Sequence, residues 1–191
     1  MKAAILNGAK PGDSGAERIL GVLSHALETG GWTSAQFPLA RMNIADCRGC
    51  FGCWVQKPGL CLLEDDAQQL AAAVIGSDLT VFFTPVTFGG YSSELKKGLD
   101  RLIGLISPYF MKIDGEVHHR PRYARYPLLM GVGVQCAQGL ESREIFSSLV
   151  ARNALNFHAP GYAVKLFAAD QDERSIQTDI VTTLAEWGGT T

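Results

Sequence analysis

Apolar positions recur along this chain in two alternating rhythms. Lys2 to Asn7 is a short apolar run that reads as a buried strand. It passes into the glycine-rich stretch 8–15, a loop by composition. Ile19, Leu20, Leu23 and Leu27 then fall at helical spacing, and Gly30-Gly31 ends that helix. Trp32 to Leu39 is a weaker strand. Glu64, Asp65 and Asp66 open a second helix, where acidic residues suit the positive end of the dipole, and Leu70, Val74 and Ile75 supply its buried face. Leu79 to Thr84 is the clearest strand, apolar throughout, as expected where both sheet faces are covered.

After the 85–93 loop, Leu95, Leu99, Leu102, Ile103 and Ile106 predict a helix. The segment 108–126 reads as irregular, with Asp114-Gly115 as a turn. Leu128 to Val134 is another apolar strand, Ile145, Leu149 and Val150 mark a helix, and Tyr162 to Phe167 is the last strand. Ile176, Ile180, Leu184 and Trp187 form a closing helix. Strand and helix thus alternate five times, which predicts an α/β fold: a parallel sheet between two helical layers. No repeat or linker divides the chain, so one domain over 1–191 is expected. In such sheets ligands bind beyond the carboxyl ends of the strands, here the loops 8–16, 85–93 and 135–139.

Composition narrows the function. A formal net charge of −2 argues against a general nucleic-acid binder, which needs excess Lys and Arg to displace counterions from phosphates. No apolar run approaches the roughly 18 residues of a membrane span, and no leader pattern opens the chain. A soluble, cytoplasmic protein is the expectation. In a reducing compartment, clustered cysteines are ligands or redox groups more often than structural disulfides.

The clustered cysteines are Cys47, Cys50, Cys53 and Cys61, spaced C-x2-C-x2-C-x7-C on a stretch broken by Gly49, Gly52 and Pro58-Gly59. Four thiolates from such a loop satisfy a [4Fe–4S] cluster. They also satisfy tetrahedral zinc, although zinc sites favour two separated pairs. A redox disulfide, or reduced thiols that merely pack, are the other readings. The fifth cysteine, Cys136, reads as a small buried side chain.

Two loops suit a phosphorylated ring. Residues 8–16 present backbone N–H groups and the positive end of a helix to an anion, with the Ser14 hydroxyl as a further donor. The same loop also reads as a plain structural turn, since it is neither a Walker nor a Rossmann motif. In the second loop, Pro85 stiffens the exit from the strand, Gly89 and Gly90 let amides approach a flat ring, and Phe88 and Tyr91 add aromatic surface. A tight connection with core aromatics is the alternative. The basic stretch from His118 to Tyr126 offers Arg120, Arg122 and Arg125 to a nicotinamide phosphate or a neighbouring subunit, with a solvated insertion as the plainer reading. His118 and His119 are adjacent, so on extended chain they point opposite ways and make a poor metal pair. No Gly-x-Ser-x-Gly elbow or His-Glu-x-x-His helix appears.

The succession Cys47-Arg48-Gly49-Cys50-Phe51-Gly52-Cys53-Trp54, Pro58-Gly59-Leu60-Cys61, Asp65-Asp66, Thr84-Pro85-Val86 with Gly89, Leu95-Lys96 and Asp100-Arg101 resembles the flavodoxin-like NAD(P)H-dependent FMN reductases. It is similar in particular to their iron–sulfur flavoprotein branch, over Lys2 to about Phe167. The resemblance implies a flavodoxin-like sheet of order 2-1-3-4-5, bound FMN, NAD(P)H as electron donor, and a homodimer or homotetramer with flavins near subunit interfaces. The matching phosphate loop supplies Gly8, Ala9, Ser14, Gly15 and Ala16. The matching isoalloxazine loop supplies Pro85, Val86, Thr87, Phe88 and Gly89. Ala9 and Ala16 stand where the family usually carries hydroxyl residues, so weaker FMN binding is expected. The function expected is an oxidoreductase that passes electrons through FMN to a quinone, a flavin or an electron carrier, with the ring rather than a side chain carrying the chemistry. The alternative is a non-enzymatic electron-transfer or redox-sensing protein.

Overall fold

Buried and exposed positions sort onto strands and helices much as the periodicity requires. In chain order a computed structural model, which describes residues 1–135 and 140–188, contains β1 (Lys2–Asn7), α1 (Ser14–Thr29), β2 (Thr33–Pro38), α2 (Gly52–Val55) and α3 (Ala67–Ile75). There follow β3 (Leu79–Pro85), α4 (Ser93–Asp100), β4 (Ile106–Ile113), β5 (Glu116–Pro121), β6 (Leu128–Gln135), α5 (Leu140–Asn156), β7 (Tyr162–Ala168) and α6 (Glu173–Gly188). The main sheet is parallel throughout, in the order β2-β1-β3-β6-β7. Counting only its own strands, that is the expected 2-1-3-4-5.

Side chains alternate across each strand, so the sheet feeds two cores. Ile5, Val81, Phe83 and Val132 pack against Ile19 and Leu23 of α1 and Ile176 and Ile180 of α6. On the other face Leu6, Phe82 and Leu129 meet Leu70 of α3, Leu95 of α4 and Phe146 of α5. A Cβ on Gly131 of β6 would lie 2.5 Å from Val150 Cγ2, so α5 rests on a strand that has no side chain at that point.

Three expectations need correction. Residues 108–126 are not irregular: β4 and β5 form an antiparallel hairpin, with Ile113 opposite Glu116. Its turn is the expected Asp114-Gly115, both at positive φ (49° and 87°), the twist that suits a two-residue hairpin loop. Tyr126 fastens this hairpin, donating from its hydroxyl to Leu105 O (2.6 Å) and accepting from Arg122 N (2.8 Å). The helix expected through Ile106 ends at Asp100; a 3-10 turn carries Arg101–Leu105, and Ile106 opens β4. Glu64, Asp65 and Asp66 do not form a helical first turn either. The helix starts at Ala67, because both aspartates are engaged elsewhere.

Candidate functional site

The loops after β1 and β3 meet at the carboxyl edge of the sheet. Ser92 joins them: its hydroxyl donates to Gly8 O (2.7 Å) and caps α4 by accepting from Leu95 N (3.2 Å). A Cβ on Gly8 would come within 2.6 Å of Leu95 Cβ, which explains the glycine by close approach rather than by an anion. Gly15 likewise packs on Ala169, after β7. Ala9 is buried and donates to Asn7 Oδ1 (2.9 Å).

Much of the expected anion cradle is occupied by the protein's own carboxylates. Asp13 caps α1, its Oδ1 accepting from Ala16 N at 3.0 Å, and Glu17 Oε1 accepts from Gly12 N at 3.0 Å. The amides of Ser14 and Gly15 take no partner among the described residues. These two N–H groups and the Ser14 hydroxyl are what the loop offers an incoming phosphate.

The second loop is a tight turn. Thr87 and Gly90 exchange backbone hydrogen bonds of 3.0 and 2.9 Å, and Val86 N donates to Val134 O at 2.8 Å, so the exit of β3 stays tied to β6. Phe88 and Gly89 occupy the turn at φ 51° and 77°. The amides of both residues are uncommitted among the described residues. Phe88 is 98% exposed, so its ring contributes nothing to the core; Tyr91, the other aromatic, packs edge-on against Phe82 and Phe146. At the same rim Gln135 is buried, and its Nε2 has no partner among the described residues. Two unengaged amides on each loop and an orphaned buried donor fit a phosphorylated flat ring, apart from the carboxylate of Asp13. Cys136 and the 136–139 segment lie outside the described residues.

The cysteine segment is closed at its stem. Asn43 and Asp66 exchange bonds: Asn43 N donates to Asp66 Oδ2 (2.7 Å), and Asp66 N donates to Asn43 O (3.1 Å). Asp65 takes both arms of Arg101, Nη1 to Oδ2 at 2.7 Å and Nη2 to Oδ1 at 2.9 Å, and also accepts from Ala45 N and Ala67 N. The side chains are 0% (Arg101) and 7% (Asp65) exposed, so this is a buried bidentate ion pair. Burial alone would raise the Asp65 carboxyl; the donors from Arg101, Ala45 and Ala67 outweigh it and hold it below the usual carboxylate range. Arg101 further donates to Ala45 O (2.6 Å) and Cys61 Sγ (3.3 Å).

Between the stems, the thiols differ. Cys47 and Cys50 are exposed, Cys61 is half-buried and Cys53, on α2, is buried. Burial pushes the Cys53 thiol up, and Cys61 pushes it the same way. All four line one cavity of about 1100 Å³ between α4 and α5, whose walls include Tyr91, Arg101, His119 and Asn153. None of the residues 8–16 or 85–89 lines it. The donor set matches a four-thiolate cluster in kind and number. Among the described residues, however, no three His, Cys, Asp or Glu side chains are grouped so as to hold a metal ion. The thiols thus share a cavity without converging on a point inside it.

The basic hairpin is largely engaged within the molecule. Arg120 Nε donates to Phe110 O (3.0 Å), Arg122 Nε to Gly104 O (2.8 Å), and Arg125 pairs with Asp78 (2.8 Å). His118 and His119 do point opposite ways. His118 is bonded to Asn156 and Glu116, while His119 packs against Trp54 and Phe110 with centroids 4.9 and 4.7 Å away.

The family model described as NADPH-dependent FMN reductase matches residues 1–149. The chain belongs to the NADPH-dependent FMN reductase family. Two iron–sulfur flavoproteins of Archaeoglobus fulgidus resemble this FMN reductase homologue. One is 26% identical over 103 residues, 54% of this chain and 46% of the relative. The other is 29% identical over 101 residues, 53% of this chain and 51% of the relative. The chain spans about half the length of the curated relatives it matches. Among solved structures, an NAD(P)H:quinone oxidoreductase from Methanothermobacter marburgensis superposes with a TM-score of 0.66 at 14% identity, covering 100% of this chain and 98% of that one. An FMN-dependent NADH-azoreductase from Bacillus anthracis, in complex with FMN, gives 0.64 at 12% identity, covering 99% and 98%. At such identities these neighbours speak for the flavodoxin-like fold of this FMN reductase homologue. No helix among its described residues is long and apolar enough to cross a membrane.

Sequence reasoning missed the structural weight of Asp65 and Arg101 and the placing of Tyr91 and His119. Asp65 and the Asp100-Arg101 pair were visible as motif residues. Nothing in their spacing joined them, because the contact crosses 36 positions of chain.

Proposed function

We propose that this protein is an FMN-dependent oxidoreductase that accepts reducing equivalents from NAD(P)H and passes them to a small acceptor such as a quinone or a free flavin. Membership of the family supports it. The observation that carries it is the meeting of the two rim loops across the 2.7 Å Ser92–Gly8 bond, with the amides of Ser14, Gly15, Phe88 and Gly89 uncommitted among the described residues. FMN, when bound, supplies the ring that takes up hydride and hands electrons on. The protein's part is to hold and tune. Ser14 and Gly15 donate to the phosphate, while Phe88 and Gly89 donate to the ring edge. Phe88 carries aromatic surface outward, where it can cover a ring face.

Asp13 sets the strength of the phosphate site. Its carboxylate occupies the helix start that an anion would use. Replacing it with Asn keeps the cap and removes the charge. Asp13→Asn is therefore expected to tighten FMN binding about fivefold, near 1 kcal/mol. Titration of protein into FMN, followed by quenching of flavin fluorescence, measures both values. NADPH oxidation with a quinone acceptor then tests turnover. A protein that binds no FMN in either form refutes this reading.

The second reading is an iron–sulfur electron carrier or redox sensor, supported by the four thiols on one cavity and by the curated relatives. Cys47, Cys50, Cys53 and Cys61 would hold the cluster. Among the described residues the sulfurs do not converge on one point. An iron assay on anaerobically purified protein decides: about four irons per chain supports the cluster, and none removes it.

A further inference from the structure

FMN is a ligand with two ends, a charged phosphate and a flat ring. A ligand held at both ends gains fully from the second contact only when the two half-sites keep a fixed spacing, because the second contact is then intramolecular. The half-sites here sit on different loops: Ser14 and Gly15 follow β1, and Phe88 and Gly89 follow β3. Whatever holds those loops in register therefore bears on affinity without touching the ligand.

Among the described residues two hydrogen bonds join the first loop to β3 and the loop behind it. Gly8 N donates to Phe83 O at 2.8 Å, which only continues the β1–β3 ladder. The other is the Ser92 hydroxyl to Gly8 O at 2.7 Å. Ser92 is tied on two further sides. Its N–H donates to Thr84 Oγ1 at 2.9 Å, closing the neck of the 85–91 loop, and its hydroxyl accepts from Leu95 N at 3.2 Å. Thr84 is wholly buried and donates in turn to Pro85 O at 2.8 Å. One residue thus fastens the end of β3, the start of α4 and the loop after β1. A serine hydroxyl has a single hydrogen, and here it is committed to Gly8 O. A Cβ on Gly8 would lie 2.6 Å from Ser92 Oγ, so the approach itself depends on glycine at that position.

We propose that Ser92 is a positioning residue for the mononucleotide. By holding Gly8 it fixes the distance between the phosphate half-site and the ring half-site. It thereby sets the preference of the rim for FMN over riboflavin, which lacks the phosphate and engages the ring half-site alone. The inference rests on the FMN-binding reading above.

Fluorescence-quenching titrations with FMN and with riboflavin separate this role from a purely structural one. Ser92→Ala is expected to weaken FMN binding about tenfold and riboflavin binding less than about twofold. A residue that merely capped α4 would, when lost, loosen the ring loop and weaken both flavins alike. Ser92→Thr, which keeps the hydroxyl, should restore the parent ratio of the two affinities. Thr84→Val keeps the Ser92 hydroxyl but frees its N–H, and should lower the ratio in the same direction. Thermal unfolding of each variant should remain one cooperative transition. A Ser92→Ala protein with the parent ratio, or one that loses both flavins equally, would overturn the positioning role and leave the FMN-binding reading standing. Equal affinity of the parent protein for the two flavins would overturn it as well. A parent protein that binds neither flavin refutes both.

Discussion

Asp65 is the residue on which the cysteine segment turns. It joins Ala45, Ala67 and Arg101 through four acceptances, and its ion pair with Arg101 is buried. Asp65→Asn would leave a buried guanidinium without its countercharge, a loss of about 3–5 kcal/mol by chemical denaturation. Asp65→Leu combined with Arg101→Met, which removes both charges, should recover much of that loss. The sign with pH follows from the depressed carboxyl. Its contribution is complete above the unfolded Asp value of about 4 and disappears as pH falls through the lower folded value. Denaturation curves across that window should show a steeper acid-side decline for the parent protein than for Asp65→Asn. The acidic run was legible as a helix start, and that was the wrong use of it. The carboxylates cap the stem of a loop whose other strand lies about twenty positions earlier, a relation no local pattern carries.

At the level of elements, chemistry follows exposure along the cysteine segment. Cys47 and Cys50 are open, whereas Cys53 sits in α2 with its thiol pushed up by burial. Iodoacetamide labelling of the cluster-free protein, mapped by peptide mass, should modify Cys47 and Cys50 first and Cys53 last, because the thiolate is the reacting form. Equal labelling of Cys53 would contradict the burial found here. The β4–β5 hairpin teaches a different lesson about legibility. Pro108, Pro121 and the charged residues between them hid an extended segment, since Tyr109, Phe110 and Val117 are exposed and break the in-out alternation that marks a strand. Only its Asp114-Gly115 turn announced itself, because that requirement is local. The hairpin is fastened by single side chains such as Tyr126. Tyr126→Phe should cost about 1–3 kcal/mol by leaving Leu105 O and Arg122 N unpaired, measured by urea denaturation.

Across the molecule, the parallel sheet and its order were readable because every strand is short, apolar and separated by a helical period. The same reading placed the two rim loops correctly at the carboxyl edge. It did not foresee that Asp13 and Glu17 would face the amides intended for phosphate, or that a cavity of about 1100 Å³ would open between α4 and α5. Both depend on which side chains meet after the layers close. The tightness of that closure is testable at Gly131, where α5 lies on β6. Gly131→Ala forces Val150 aside and should destabilise by about 1–3 kcal/mol in a denaturant titration.

The clamp at residues 43–45 and 65–66 has a consequence for how this architecture varies. Chain lying between two pinned feet has its ends fixed by the clamp, so away from Trp54 and Cys61, which are tied to Ile103, Ile106 and Arg101, its length and composition are free to drift while the sheet keeps its shape. Thiol ligands could then be gained, lost or respaced as a cassette, leaving the mononucleotide framework intact.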